Sequence, residues 1–260
     1  MKEKVDILIV SHNHGQFLHN CLSSIFSSIK LPFKVLVIIN NPKDQESQKI
    51  AKKFPVKILV NKKEKGLSAN LNYGIKMTKG DYILVVNPDT KITKNALENL
   101  VSFMEKQSKV AICGPKLVYP NGSLQFSARR FPNFKTFLIR RLPIRRFLIN
   151  SRLNLYHLGA GLNHKKIQPV DWVLGACMLI RRKAIEEIGF FDENYYLYVE
   201  DIDLCFCAWK KGWQVWYVPK AKVIHHYQAK SDKNFLSIYN WYHFRSMLWY
   251  FWKNILKFKK

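Results

Sequence analysis

Four times in its first hundred or so residues the chain passes through an unbroken apolar, β-branched run and then through a stretch with helical spacing. VDILIV (5–10) precedes FLHNCLSSIFSSI (17–29), and KVLVII (34–39) precedes QESQKIAKKF (45–54). VKILV (56–60) precedes LSANLNYGIKM (67–77), and DYILVV (81–86) precedes NALENLVSFMEKQ (95–107). A strand that is apolar on both faces needs cover on both faces, and helices between consecutive strands supply it. The pattern predicts an α/β fold with a mostly parallel central sheet. Ligands of such sheets gather beyond the carboxyl ends of the strands. Here those ends carry polar triplets: Ser11-His12-Asn13, Asn40-Asn41-Pro42 and Asn87-Pro88-Asp89.

Length and composition set the frame. A chain of 260 residues, 48% apolar, can bury a large core and is not a disordered protein. Its net charge of +25 calls for an anionic partner: nucleic acid, nucleotide phosphate or an anionic membrane face. The first apolar run is too short for a leader or an anchor. Five scattered cysteines, with Cys205 and Cys207 the one close pair, read as reduced thiols rather than as a zinc site.

No acidic residue lies between Glu105 and Asp171, and the segment RRFPNFKTFLIRRLPIRRFLINSR sets paired arginines on an aromatic background. It is either a solvated basic face or a grip for a phosphorylated or membrane-embedded acceptor. The aromatic stretch at 235–260 ends in lysines and is interrupted by Asn240, His243 and Arg245. That argues against a spanning helix and for an amphipathic one, packed on the domain or lying in an interface. With no internal repeat, the chain reads as one domain over 1–230, followed by a C-terminal helix over 231–260.

Three local patterns carry candidate chemistry. Pro88 stiffens the turn after DYILVV and aims Asp89, whose carboxylate either caps the next helix or holds a hard cation. In GLSANLNYGI (66–75) the glycines allow close backbone approach, and the asparagines can read a base or a phosphate, although no Gly-Lys-Ser/Thr follows. In NYYLYVEDIDLCFCAWKKGW (194–213), Glu200, Asp201 and Asp203 share an apolar neighbourhood, where lost hydration raises a carboxyl pKa. Such a cluster is either a structural ion-pair site or an acid–base and metal site.

Taken in order, VSHN (10–13), NPD (87–89), Gly175-Ala176, VEDIDL (199–204) and AKVIH (221–225) resemble the family 2 glycosyltransferases, nearest the bacterial rhamnosyltransferase-like branch. The resemblance implies a GT-A fold, a Rossmann-like nucleotide-sugar-binding half (1–115) joined to an acceptor and catalytic half (116–230). It implies an inverting, non-processive hexosyltransferase using a nucleoside-diphosphate sugar, dTDP-rhamnose for one, with Mg²⁺ or Mn²⁺.

Ser11, His12, Asn13, Asn40, Gly66, Asn72, Asn87 and Asp89 would line the donor pocket, with Gly175 and Ala176 beneath the transferred sugar. Asp89 and His225 would hold the metal, His226 being the second choice. Asp201 would be the base, Glu200 its neighbour in the field or on the acceptor, and Asp203 an anchor for the helix, as N-cap or in a local ion pair. The implied partners are a glycan or lipid-linked acceptor and an anionic membrane surface, at the cytoplasmic face and without nucleic acid.

This chain departs from the pattern at Asn40, where an Asp is usual, at His12, where an aromatic is common, and at Cys207, where an arginine is usual. The Gln-x-x-Arg-Trp motif of processive synthases is missing. A basic nucleic-acid-binding protein would explain the charge but leave the strand-tip triplets without a role, and a degenerate transferase kept as a scaffold is the third reading.

Overall fold

The structure, a computed structural model, describes residues 4–141, 150–227 and 237–256. Each predicted strand of the first half forms: β1 (Val5–Ser11), β2 (Phe33–Ile39), β3 (Lys57–Val60) and β4 (Tyr82–Val86). They pair in parallel in the order β3-β2-β1-β4. Between them lie α1 (Gly15–Ser28), α2 (Gln45–Ala51) and α3 (Leu67–Lys76). Asp44 starts α2 by accepting the Ser47 N–H at 3.0 Å, a side-chain cap that satisfies one of the orphan donors of the first turn.

After β4 come a short β5 (Thr90–Ile92), α4 (Ala96–Lys106) and β6 (Val110–Val118). The two-residue strands β7 (Leu124–Gln125) and β8 (Ala128–Arg129) follow, then the helices α5 (Phe134–Arg141) and α6 (Arg152–His157). Strands β9 (Gln168–Pro169), β10 (Trp172–Val173) and β11 (Cys177–Arg181) lead to α7 (Arg182–Ile188). The described chain closes with α8 (Glu200–Lys210), β12 (Gln214–His225) and α9 (Ile238–Phe251), whose last turn widens into a π-helix over Trp252–Leu256.

Beyond β4 the same sheet continues in the order β4-β11-β6-β12-β5. β11 runs antiparallel to both neighbours, with Cys177 opposite Val86. Its first residues therefore start at the edge where β4 ends, and that reversal brings Gly175 and Ala176 to the strand-tip side of the sheet. β12 runs parallel to β6 and slips register between Val218 and Lys222, around Pro219, which has no N–H for the ladder. Its far end pairs with β5, setting His225 opposite Thr90.

Each face of the sheet carries a core. Ile7, Ile9, Val37 and Leu84 pack with Leu18, Leu22 and Ile25 of α1 and Leu100 and Met104 of α4. On the other face Leu8, Ile38, Val85 and Ile180 pack with Ile75 of α3, Leu204 of α8 and Met247 of α9. The C-terminal helix is thus part of the core rather than an appendage. No described helix is long and apolar enough to cross a membrane.

Candidate active site

The polar triplets stand at one edge of the parallel strands, and the first two are hydrogen-bonded to each other, Asn41 Nδ2 donating to Asn13 Oδ1 at 3.0 Å. At the tip of β1, Ser11 Oγ lies 3.1 Å from Ser47 Oγ, and the Asn13 N–H donates to Asp44 Oδ2 at 2.8 Å. Asn13 is left-handed at φ +58°, a conformation asparagine tolerates better than most residues. The His12 ring faces Asn40, with Nδ1 3.3 Å from Nδ2.

Asn40 Oδ1 accepts three N–H groups, from Asn61 Nδ2 at 2.8 Å, Asn70 Nδ2 at 3.0 Å and the Lys65 backbone at 2.9 Å, while its Nδ2 donates to Lys65 O at 3.0 Å. Its amide thereby ties the 61–66 loop to the tip of β2. Of the two asparagines on α3, Asn70 joins this network. Asn72 faces away from it, donating to Phe191 O at 2.8 Å and Glu193 Oε1 at 2.9 Å and accepting the Phe191 N–H at 3.0 Å. Gly66 likewise serves the join between the halves, for a Cβ there would stand 2.9 Å from Tyr196 Cα.

At the tip of β4 the Asn87 N–H donates to Ala176 O at 2.9 Å, across the start of β11. Asp89 is fixed through its backbone, whose carbonyl accepts the His226 N–H at 2.8 Å, and it caps no helix: the residue before α4 is Asn95. The Asp89 Oδ1 atom lies 3.3 Å from His225 Nε2, and Nδ1 of that histidine lies 2.8 Å from Gln125 Oε1. Both partners are nearly buried, with side-chain exposures of 12% for Asp89 and 6% for His225. The His226 ring turns instead against Phe17.

The carboxylate pair opens α8. Two left-handed residues precede it, Tyr198 at φ +69° and Val199 at φ +73°. For a β-branched valine this is a strained backbone, on the order of 1–3 kcal/mol, and it turns Glu200 and Asp201 into the site at the first turn of the helix. Asp201 Oδ2 accepts the Gly175 N–H at 2.8 Å, and Oδ1 accepts the Ile202 N–H at 2.9 Å. A Cβ on Gly175 would meet that carboxylate at 3.3 Å, so the absence of a side chain permits the seat.

Burial pushes both acids up. Glu200 rises to about 8, through burial first and then the neighbouring Asp201 charge. Asp201 also rises with burial, but the Gly175 and Ile202 N–H groups and the Arg129 charge hold it down. Burial and the neighbouring carboxylate thus favour a proton on Glu200, while the two N–H groups and Arg129 oppose the rise at Asp201. Glu200 Oε2 is buried without a hydrogen-bond partner, a polar demand that a ligand group can meet.

Asp203 is not the N-cap, and its ion pair is not local. It accepts Lys253 Nζ at 2.7 Å, Asn254 Nδ2 at 2.6 Å and the Tyr195 hydroxyl at 3.1 Å, so it ties α8 to the C-terminal helix. Lys253 also bonds Asp192 at 2.9 Å. Burial alone would raise Asp192, but bonds from Trp249, Lys253 and Asn194 outweigh it and hold that acid at about 2.

A continuous set of contacts thus joins the predicted residues: Asp201 to Gly175, Ala176 to Asn87, and Asp89 to His225. Sequence reasoning missed Asn61, Asn70 and Gln125 as supports, and Arg129 as the cation beside Asp201. Gln125 sits in a two-residue strand after a tight turn and has no motif around it. Arg129 is visible in the sequence only as one of several paired arginines. Among the described residues no three or more His, Cys, Asp or Glu side chains converge as a metal cage. The cysteines form no disulfide, and burial pushes the Cys207 thiol up to about 11.

An α/β sheet with its polar groups gathered at one edge, crossed there by an antiparallel strand from the second half, is the framework of a nucleotide-sugar-type transferase, the GT-A fold. A profile of Glycosyl transferase family 2 matches residues 6–189, and the chain belongs to that family. It is 28% identical over 247 residues to the N-acetylglucosaminyl-diphospho-decaprenol L-rhamnosyltransferase of Mycobacterium tuberculosis, covering 87% of this chain and 77% of that protein. It is 24% identical over 255 residues to the rhamnosyltransferase WbbL of Escherichia coli K12, covering 92% and 89%.

Among solved structures it superimposes on GalNAc-T7 with UDP, GalNAc and Mn²⁺ at a TM-score of 0.67 and 17% identity, over 89% of this chain and 44% of that one. It also superimposes on residues 1–349 of S. aureus TarS at 0.57 and 18% identity, over 85% and 60%. The chain thus spans less than two thirds of either solved structure. Asp201 and His225 lie beyond the stretch that the family profile matches.

Proposed function

We propose that this glycosyltransferase moves one sugar per encounter from a nucleoside-diphosphate sugar to a glycan or lipid-linked acceptor, with inversion at the anomeric carbon. Residues 1–115 would take the donor, and residues 116–230 would supply the base and the acceptor side. The rhamnosyltransferase relatives make dTDP-rhamnose the first donor to test, and the acceptor named for the mycobacterial relative makes a polyprenyl-diphosphate sugar the first acceptor. Five unbonded cysteines suit a reducing compartment, so the reaction belongs on the cytoplasmic side of the membrane.

One observation carries the reading. A buried carboxylate accepts the Gly175 N–H beside the charge of Arg129, and the neighbouring residue of its seat is bonded to the turn that presents Asp89. As a base, Asp201 takes the proton of an acceptor hydroxyl while that oxygen attacks the anomeric carbon and the bond to the diphosphate breaks. The proton ends on Asp201 and the electron pair on the nucleoside diphosphate. Attack without an enzyme nucleophile inverts the centre. Glu200, protonated beside it, donates a hydrogen bond to the acceptor rather than competing for the proton.

The donor set fits a divalent cation. Asp89 and His225 would hold it, the remaining positions falling to diphosphate and water, and an imidazole ligand favours Mn²⁺ over Mg²⁺. When bound, the ion neutralises charge on the departing diphosphate. Gln125 fixes which ring nitrogen of His225 faces that position. The test is release of nucleoside diphosphate from a panel of nucleotide sugars with Mn²⁺ and a polyprenyl-diphosphate acceptor, read beside Asp201→Asn. No turnover with any donor, or equal turnover by the variant, would remove the basis of the reading.

A further inference from the structure

The C-terminal helix buries Met247, Tyr250 and Phe251 in the core and turns a second, mostly apolar face outward. Lys253, just past its last turn, points inward to Asp192 and Asp203, and Asn254 follows it to Asp203, whereas Arg245 is exposed. Ile238, Trp241, Phe244, Leu248 and Trp252 point outward, with exposures from 38% at Phe244 to 58% at Trp241. Spacings of three and four residues put these five on one face of the helix. Phe134 of α5, 55% exposed, extends the face, because α5 packs on α9 through Phe137 against Phe244 and Phe134 against Phe251. An exposed apolar face of this extent, with the exposed cation Arg245 set among its aromatic and aliphatic side chains, is not explained by folding of this chain alone.

We propose that this face is a membrane-docking surface for an anionic bilayer leaflet. Charge decides among the possible occupants. Residues 135–149 contain five Lys or Arg and no acid, the sequence ends in Lys257, Lys259 and Lys260, and the whole chain carries +25. Another copy of the chain would bring like charges face to face. A nucleic acid would stack on aromatic rings but gains nothing from Ile238 and Leu248. An acyl boundary under anionic headgroups satisfies both the aliphatic and the cationic parts. The described helix is not long and apolar enough to span, so it lies in the interface plane. This surface involves neither the donor nor the metal, and its binding to vesicles is independent of which sugar the enzyme transfers.

The full chain is floated with vesicles of phosphatidylcholine alone or with phosphatidylglycerol, beside Trp241→Ser/Leu248→Ser, whose fold is checked by circular dichroism. The inference expects flotation only with the anionic vesicles, weaker with added salt, and partitioning reduced about tenfold in the folded variant. Brominated acyl chains should quench tryptophan fluorescence of the parent and quench the variant less. Equal partitioning by parent and variant would overturn the inference. So would a dimer that the two substitutions dissociate, or tighter binding to oligonucleotides than to anionic vesicles.

Discussion

His225 Nε2 stands 3.3 Å from Asp89 Oδ1 while the other nitrogen of the same ring meets Gln125 Oε1 at 2.8 Å. A carbonyl oxygen only accepts, so Nδ1 carries the hydrogen and Nε2 turns towards a carboxylate oxygen. Two electron-rich atoms at that separation require positive charge between them, as a proton or as a metal ion. Asp89→Ala should therefore abolish the thermal stabilisation that a nucleoside diphosphate with Mn²⁺ gives the parent. Gln125→Leu, which leaves both ligands in place, should weaken Mn²⁺ by about tenfold. Thermal shift against Mn²⁺ concentration reads both, and EDTA without effect on activity would contradict the metal assignment.

Asp201→Asn keeps the shape of the carboxylate and removes its basicity. Turnover should fall on the order of a thousandfold, while donor affinity by calorimetry stays within about twofold, because the donor contacts lie on other strands. A variant that keeps turnover and loses donor binding would place Asp201 in the donor pocket.

Gly175→Ala adds a methyl 3.3 Å from Asp201 Cβ and Oδ2. The expected result is a kcat about tenfold lower with little change in melting temperature, since a small displacement of a reacting group costs rate before it costs stability. An unaltered kcat would mean that the seat is not what positions the base.

Glu200 is held protonated in the folded protein to a pH well above its ordinary range, chiefly by burial. The folded state then binds more protons than the unfolded state between the ordinary glutamate range and about pH 8, so stability falls as pH rises through that window. Glu200→Gln should flatten the decline and raise stability at pH 8, by roughly 3 kcal/mol or less. Urea denaturation at a series of pH values checks the sign, and a parallel slope in the variant would rule Glu200 out as its source.

Asn40→Asp restores the residue more usual at that position and exchanges a donor for an acceptor. The Nδ2 bond to Lys65 O at 3.0 Å becomes an oxygen facing an oxygen, which should cost about 1–3 kcal/mol and loosen the 61–66 loop. Hydrogen exchange at Asn61 and Lys65 should speed up while exchange in α8 stays as it was.

The fold was legible because its strands are apolar on both faces. The predicted runs 5–10, 34–39, 56–60 and 81–86 match β1 to β4 within a residue or two, and the predicted helices between them match as well. The direction of β11 was not legible, since Cys177–Arg181 reads the same whichever way it runs in the sheet. The asparagine network at the strand tips was half legible. Asn40 and Asn70 look alike in sequence to Asn72, and only the packing of α3 against residues 191–193 sends Asn72 away from the network. Asp203 was read as a local anchor because its partners, Lys253 and Asn254, lie some fifty residues on, where no short motif points.

The reversed strand β11 has a practical meaning for anyone diversifying this scaffold. Side chains alternate faces along a strand, so a single inserted or deleted residue between 177 and 181 would invert that alternation and slide the 174–176 turn along the edge, parting the seat of the carboxylate from the tip of β4. Length variation belongs instead in the Tyr119–Ser123 turn, where Gly122 faces open space. Loop shuffling there leaves the geometry of the reaction untouched, whereas the same edit sixty residues later would erase it without altering a single charged residue.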